Sequence, residues 1–205
     1  PAQTAFGSEM HTVFGDGVIH DRIGDATFEI ASNAFFQTNT VQAEILYKVA
    51  AEFAELKPDD LVYDLYSGAG TITCYLAPHV KHVVGVELIE EAVQNARRNA
   101  EDNKIENVSF VTGDMLRLFN SSFIAKHGTP DVLIVDPPRA GLHPKVVAQI
   151  AALAPDRFVY ISCNPLTQAR DLAMMSEVYD VEKVQPVDLF PHTHHIESVA
   201  LLRKK

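Results

Sequence analysis

The sequence predicts an α/β protein built on a mainly parallel sheet of seven strands, with helices on both faces and an antiparallel hairpin at the C-terminus. Three observations carry this. Short apolar runs alternate with helical segments from Leu61 onward. A glycine-containing loop, with an acidic residue further on, follows the first run, as in folds that bind nucleotide-like ligands at strand ends. The last two runs have no helical segment between them, so they pair directly.

Five runs read as buried strands: LVYDLY (61–66), HVVGVE (82–87), NVSFVTG (107–113), DVLIVD (131–136) and RFVYIS (157–162). Each is short, rich in Val and Ile, and bounded by polar or turn residues. Between the second and third, Ile89, Ala92, Val93, Ala96 and Ala100 repeat at helical spacing, with charges on the opposite face. Strands alternating with helices imply crossover units and a parallel sheet. Residues 41–56 read as a helix entering the unit, with Val41, Ile45, Val49, Phe53 and Leu56 on its apolar face and Asn39 or Thr40 as N-cap. VYDVEKVQPVDLFP and HIESVALLRKK are the terminal hairpin strands. Before residue 41, FGDGVIHD and ATFEIA suggest a small β segment.

Composition narrows the class. In 205 residues, 47% are hydrophobic and 21% charged, which suits one globular domain and excludes wholesale disorder. No apolar run approaches the roughly 20 residues that cross a bilayer. Two cysteines, Cys74 and Cys163, are too few for a disulfide framework or a four-thiolate metal site, so a cytoplasmic setting is expected. The opening PAQTAFGSEM lacks the basic and apolar regions of a signal peptide; it also lacks an initiator Met, which suggests a start inside a longer chain. Net charge is −10, from 17 basic and 27 acidic residues. That balance runs against broad contact with phosphates, and the one dense basic cluster is Arg203-Lys204-Lys205.

The chemistry gathers at strand C-termini. Gly68 and Gly70, in the loop Asp64-Leu65-Tyr66-Ser67-Gly68-Ala69-Gly70-Thr71, would let a ligand approach the backbone beside a helix N-terminus. Glu87, ending the second strand, stands where a carboxylate binds a ribose diol, and Asp114, past the third, could reach an adenine edge. Thr73 occupies the place of the third glycine of a dinucleotide fingerprint, which favours S-adenosylmethionine over NAD. Asp136-Pro137-Pro138-Arg139 ends the fourth strand with a rigid exit. Ser162-Cys163-Asn164-Pro165 ends the fifth and offers Cys163 as a nucleophile; Cys74, within the helical TITCYLA, reads as a small buried hydrophobe. The His192, His194, His195 and Glu197 group fits no usual zinc spacing, and on an extended segment neighbouring side chains point apart, so no metal is expected.

FFQTN (35–39), DLYSGAG (64–70), DPPRAG (136–141), SCNP (162–165) and THHIES (193–198) occur here in the order found in the uracil-5 RNA methyltransferase family, and the chain resembles that family over residues 30–205. The resemblance implies a Rossmann-like methyltransferase fold, S-adenosyl-L-methionine as methyl donor, and an RNA substrate, ribosomal or transfer RNA, methylated at C5 of a uridine. It implies Cys163 as the nucleophile that adds to C6 and Glu197 as the base that removes the C5 proton. Gln37, Tyr66, Thr71, Glu87, Asp114 and Asp136 fall where the family contacts the methyl donor or frames the target base. Thr71 stands where other members carry Asn. For the thiol to act near neutral pH, polar neighbours are expected to lower its pKa. Family members usually carry an N-terminal RNA-binding β-barrel, so residues 1–40 are read as the end of an upstream domain and 41–205 as the methyltransferase domain. The alternatives are an amino-group methyltransferase, whose motif would place an aromatic where Arg139 stands, a cytosine-5 enzyme, which would more typically show two motif cysteines, and a non-catalytic RNA- or nucleotide-binding module.

Overall fold

The structure, a computed structural model, describes residues 11–31, 35–118 and 120–205. The PAQTAFGSEM segment lies outside them. The chain enters through a hairpin, β1 (Val18–Ile23) and β2 (Ala26–Ala31), that turns at Gly24 with φ +60°. Helix α1 (Thr40–Ala54) follows, with the Asn39 side chain accepting from the Gln42 amide as its N-cap. Then come β3 (Leu61–Leu65), α2 (Thr71–Leu76), β4 (His82–Glu87), α3 (Glu90–Asp102) and β5 (Val108–Thr112). Two short helices, α4 (Met115–Leu118) and α5 (Ser121–His127), lead to β6 (Val132–Val135), α6 (Pro144–Leu153), β7 (Arg157–Ser162) and α7 (Pro165–Met174). The chain ends in β8 (Tyr179–Val187) and β9 (Glu197–Lys204).

Seven strands form one sheet in the order β5-β4-β3-β6-β7-β9-β8. The first five run parallel, and β9 and β8 close the edge antiparallel, as the missing helix between them predicts. Alternation along the central strands fills two cores. Val62, Ile134, Val159 and Ile161 face α1, α2 and α3, while Tyr63, Leu133, Phe158 and Tyr160 face α4–α7. Burial on both faces explains the near-continuous apolar runs of the parallel strands. Among the described residues, no helix is long and apolar enough to cross a membrane.

Helix α1 departs from the sequence reading. Its buried face is Ala43, Leu46, Tyr47, Ala50 and Ala54, while Val41 is 71% and Ile45 44% exposed. Small residues let the helix lie close against the sheet, which outweighs the stripe of larger side chains; Val49, Phe53 and Leu56 reach the core only at its margin. Ile89 likewise lies before α3, half-exposed at its N-cap. Polar residues do unexpected work on α3. The Asn103 amide donates to Thr27 O (2.7 Å) and accepts from Thr27 N (2.8 Å), and Asn99 treats Glu29 similarly. These two amides imitate a neighbouring strand and hold β2 down, while Ile23, Ala26 and Phe28 enter the same core as α1–α3.

Candidate functional site

The β3 segment exits where its neighbours β4 and β6 connect in opposite directions along the sheet, the switch point at which such sheets open a cleft. The loop after β3 turns sharply. Tyr66 adopts φ +68°, a left-handed backbone for a side-chain-bearing residue, and the Tyr66 and Ser67 amides both donate to Val86 O. The two glycines have different reasons to be there. A Cβ on Gly68 would meet nothing within 4 Å, so this glycine faces open space, as a close ligand approach requires. A Cβ on Gly70 would meet Ala96 Cβ and the Phe110 ring at 2.9 Å, so Gly70 lets the loop pack on α3 and β5.

Glu87 knits this loop together. Its carboxylate accepts from the Gly68 amide at 3.0 Å, and from the Leu88 and Ile89 amides at 2.7 and 2.9 Å. Asp114 accepts from the Leu116 amide at 3.0 Å at the start of α4, with Arg117 4.0 Å away. Gln37 is buried, and the Thr71 hydroxyl lies 2.9 Å from Tyr47 Oη. All these groups, except Gln37 and Tyr47, sit on the C-terminal rim of the parallel strands.

The same rim carries the reactive groups, and strand register brings them together. Asp64 pairs with Ile134, and Asp136 lies two residues beyond Ile134, so both carboxylates project from one face. Ser162 pairs with Ser198 at the end of the β7–β9 ladder. Continuing that register by one residue puts Cys163 opposite Glu197, on the face that carries Ile161 and Val199. Beneath them lies Tyr47, whose hydroxyl is held protonated first by burial and further by Asp136, Asp64 and Glu197. Sequence reasoning missed Tyr47, because the larger aliphatic stripe of α1 pointed elsewhere. It also left Asp64 without a role, although a carboxylate between Tyr63 and Leu65 in a buried strand is a visible signal.

Burial governs the electrostatics. It pushes Asp64 up to about 7, only partly opposed by the 2.6 Å hydrogen bond from the Thr73 hydroxyl. Burial, then Glu197 and Asp64, push Asp136 up to about 8. Glu197, 4% exposed, rises to about 7 through burial, with Arg139 opposing. The Cys163 thiol also moves up, through burial and then through Glu197 and Asp136, and Arg139 pulls it back. The expectation that its polar neighbours lower this pKa is therefore corrected, because two of them are carboxylates. Cys74 is buried, as its bland reading requires, and pushed up to about 12.

The loop before β9 is irregular, so strand alternation does not apply to it. The His194 and His195 rings lie 4.1 Å apart rather than pointing away from each other. Among the described residues, no group of three or more His, Cys, Asp or Glu side chains could hold a metal ion. A methyl-donor sulfonium suits the site better. Asp64 Oδ1 and Ser67 Oγ are buried without a hydrogen-bond partner, Gly68 leaves open space, and carboxylates line the rim. This donor set favours a cation bearing hydroxyl groups.

The sequence profile of the tRNA (uracil-5-)-methyltransferase family matches residues 17–205. The chain belongs to this family. An uncharacterized RNA methyltransferase from Bacteroides thetaiotaomicron is 47% identical over 194 residues, which is 95% of this chain and 43% of that protein. Another from Porphyromonas gingivalis is 49% identical over 196 residues, 95% of this chain and 42% of that one. The chain thus spans less than half the length of these relatives. Among solved structures, the Pyrococcus abyssi tRNA (uracil-54, C5)-methyltransferase in complex with S-adenosyl-L-homocysteine superposes with a TM-score of 0.80 at 38% identity, over 92% of this chain and 45% of that one. A precorrin-6y C5,15-methyltransferase from Geobacter metallireducens, at 14% identity and TM-score 0.67 over 87% of this chain and 94% of that one, shares the fold. The architecture is that of Rossmann-like methyltransferases.

Proposed function

We propose that the protein transfers a methyl group from S-adenosylmethionine to C5 of a uridine in RNA, ribosomal or transfer RNA, through a covalent adduct between Cys163 and C6. The observation that carries this reading is the β7–β9 register, whose last pair, Ser162 with Ser198, leaves Cys163 and Glu197 as the next residues on facing strand ends. Family membership and the likeness to the Pyrococcus abyssi enzyme support the substrate class and the donor.

The donor supplies an electrophilic methyl group on a sulfonium. Uracil C5 is too weak a nucleophile to take it unaided. The Cys163 thiolate adds to C6, and the electron pair of the C5–C6 double bond makes C5 nucleophilic. C5 takes the methyl group as its bond to sulfur breaks, the electron pair staying on sulfur as a neutral thioether. Glu197 then takes the C5 proton, the double bond reforms, and the Cys163–C6 bond breaks with its pair returning to the thiolate. A carboxylate whose pKa is raised to about 7 is matched to removing a proton near neutral pH. Gln37, Tyr66, Gly68, Gly70, Thr71, Glu87, Asp114 and Asp136 form the candidate donor site or frame the base, with Asp64 added by its buried, unpartnered oxygen. The remainder of a longer protein would grip the phosphates, since this chain has a net charge of −10. Purified full-length protein, S-adenosylmethionine and RNA from cells lacking the gene should yield 5-methyluridine by mass spectrometry. Methylation of adenine or guanine instead would overturn the reading.

The donor site has its own test. Glu87→Ala removes both the ribose acceptor and the brace that three amides share, so S-adenosylmethionine affinity should fall by roughly 1.5–3 kcal/mol, about tenfold to a hundredfold. Unchanged affinity by calorimetry would take Glu87 out of the site.

A further inference from the structure

Cys163 faces an adverse field. Glu197 reaches it from β9 and Asp136 from the end of β6, and both disfavour a second negative charge beside them. The nearby cation is Arg139, in the loop between β6 and α6, and its placement is built from both sides of the cleft. Pro137 and Pro138 fix the chain leading to it. Its carbonyl accepts from Asn164 Nδ2 and from the Thr167 hydroxyl, each at 3.2 Å, which ties it to the segment that carries Cys163. Its guanidinium donates through Nη1 to His195 Nδ1 at 3.1 Å, which ties it to the segment that carries Glu197. The other arginine close by, Arg170, is engaged with Asp171 and with Ala140 O.

We propose that Arg139 is the counter-cation of the Cys163–Glu197 pair, aimed by His195, and that it acts as a positioning residue for the reaction. This rests on Cys163 being the nucleophile. The hydrogen bonds tie Arg139 to the segment of Cys163 through its carbonyl and to the segment of Glu197 through its guanidinium. From there one cation favours both the thiolate that adds to C6 and the carboxylate that later takes the C5 proton. To accept from Arg139, His195 Nδ1 must be unprotonated; burial, His194 and Arg139 itself all lower its pKa and hold it neutral. The ring therefore orients the arginine without adding a competing charge. His194, its ring tilted 41° against His195 with centroids 4.1 Å apart, is the titratable group packed on that ring from the same loop.

The test is the pH profile of Cys163 alkylation by iodoacetamide in the full-length protein, read by mass spectrometry on the peptide that contains it. Arg139→Gln should move the midpoint up by roughly one pH unit, slowing alkylation about tenfold below it. Arg139→Lys should keep most of the wild-type profile, and His195→Ala, which leaves the charge but loosens its aim, should fall between. An unchanged midpoint in Arg139→Gln, or a shift in Arg139→Lys as large as in Arg139→Gln, overturns the proposal. Adduct formation with 5-fluorouridine RNA by the wild-type protein separates the two levels. Its absence would mean that Cys163 is not the nucleophile, whereas an adduct together with an unchanged Arg139→Gln midpoint would reject the role of Arg139 alone.

Discussion

Glu197→Gln should accumulate a protein–RNA adduct that survives a denaturing gel, and Cys163→Ala should form none. The two residues follow the last pair of the β7–β9 ladder, Ser162 with Ser198, yet the proposed mechanism has them act at opposite ends of the reaction. In the proposed mechanism nothing but the Cys163 thiol activates C5, so methylation and adduct formation should both fall by on the order of 10⁴-fold or more in Cys163→Ala, as when other enzymes lose their nucleophile. Glutamine at 197 fills nearly the same volume but cannot take a proton. In the proposed mechanism addition and methyl transfer precede proton removal, so this variant should complete one methyl transfer and then stall with RNA attached. The gel needs natural uridine RNA, S-adenosylmethionine and each variant, with donor carrying a labelled methyl group to show that the trapped adduct is methylated. A band with Cys163→Ala and none with Glu197→Gln, or normal turnover by either variant, would sink the assignment.

Asp60→Ala should cost about 3–5 kcal/mol of stability, a large fraction of what a domain of this size possesses. Asp60 precedes β3 and Arg157 opens β7; they are 4% and 6% exposed and pair in a fork of 2.9 and 2.5 Å. The Arg157 guanidinium also donates to Ala54 O and Glu55 O, so it closes the C-terminal end of α1 onto the sheet. Removing the carboxylate leaves a buried cation whose remaining partners are carbonyls. Urea unfolding followed by circular dichroism should show a lower midpoint with an unchanged slope. The double variant Asp60→Leu, Arg157→Met should recover much of the loss, since no charge is then left buried. A loss below about 1 kcal/mol in Asp60→Ala would show that the pair does not hold these elements together. The pair lies at the end of the sheet opposite the candidate site, so donor affinity should survive in whatever fraction remains folded.

Periodicity alone exposed the sheet. LVYDLY, HVVGVE, DVLIVD and RFVYIS are buried on both faces and so stay apolar throughout, which makes them visible as strands and implies helices on either side. Each strand proved one or two residues shorter or no longer than its apolar run, because the ladder stops where the rim loops begin. The rim motifs were visible as well, since Gly68, Glu87, Asp136 and Cys163 each follow or end such a run. Helix α1 was visible as a helix but its face was not. A hydrophobic stripe reports apolar size, whereas close packing on a sheet selects for small residues such as Ala43 and Ala50. With the face misread, Tyr47 beneath the carboxylates was lost too.

Composition and pattern by themselves determined the class of fold, the strand order along the chain and the residue types available for chemistry, because burial on two faces writes itself into local sequence. Only the tertiary structure decided which of those residues meet. The approach of Cys163 to Glu197 depends on the β7–β9 ladder that ends at Ser162 and Ser198, and the field at the thiol depends on Asp136 and Arg139 from the end of β6 meeting Glu197 from β9. Local sequence carries no record of register across such separations. The sign of the shift at Cys163, upward through burial and two carboxylates with Arg139 opposing, follows from that convergence and from nothing nearer in the chain.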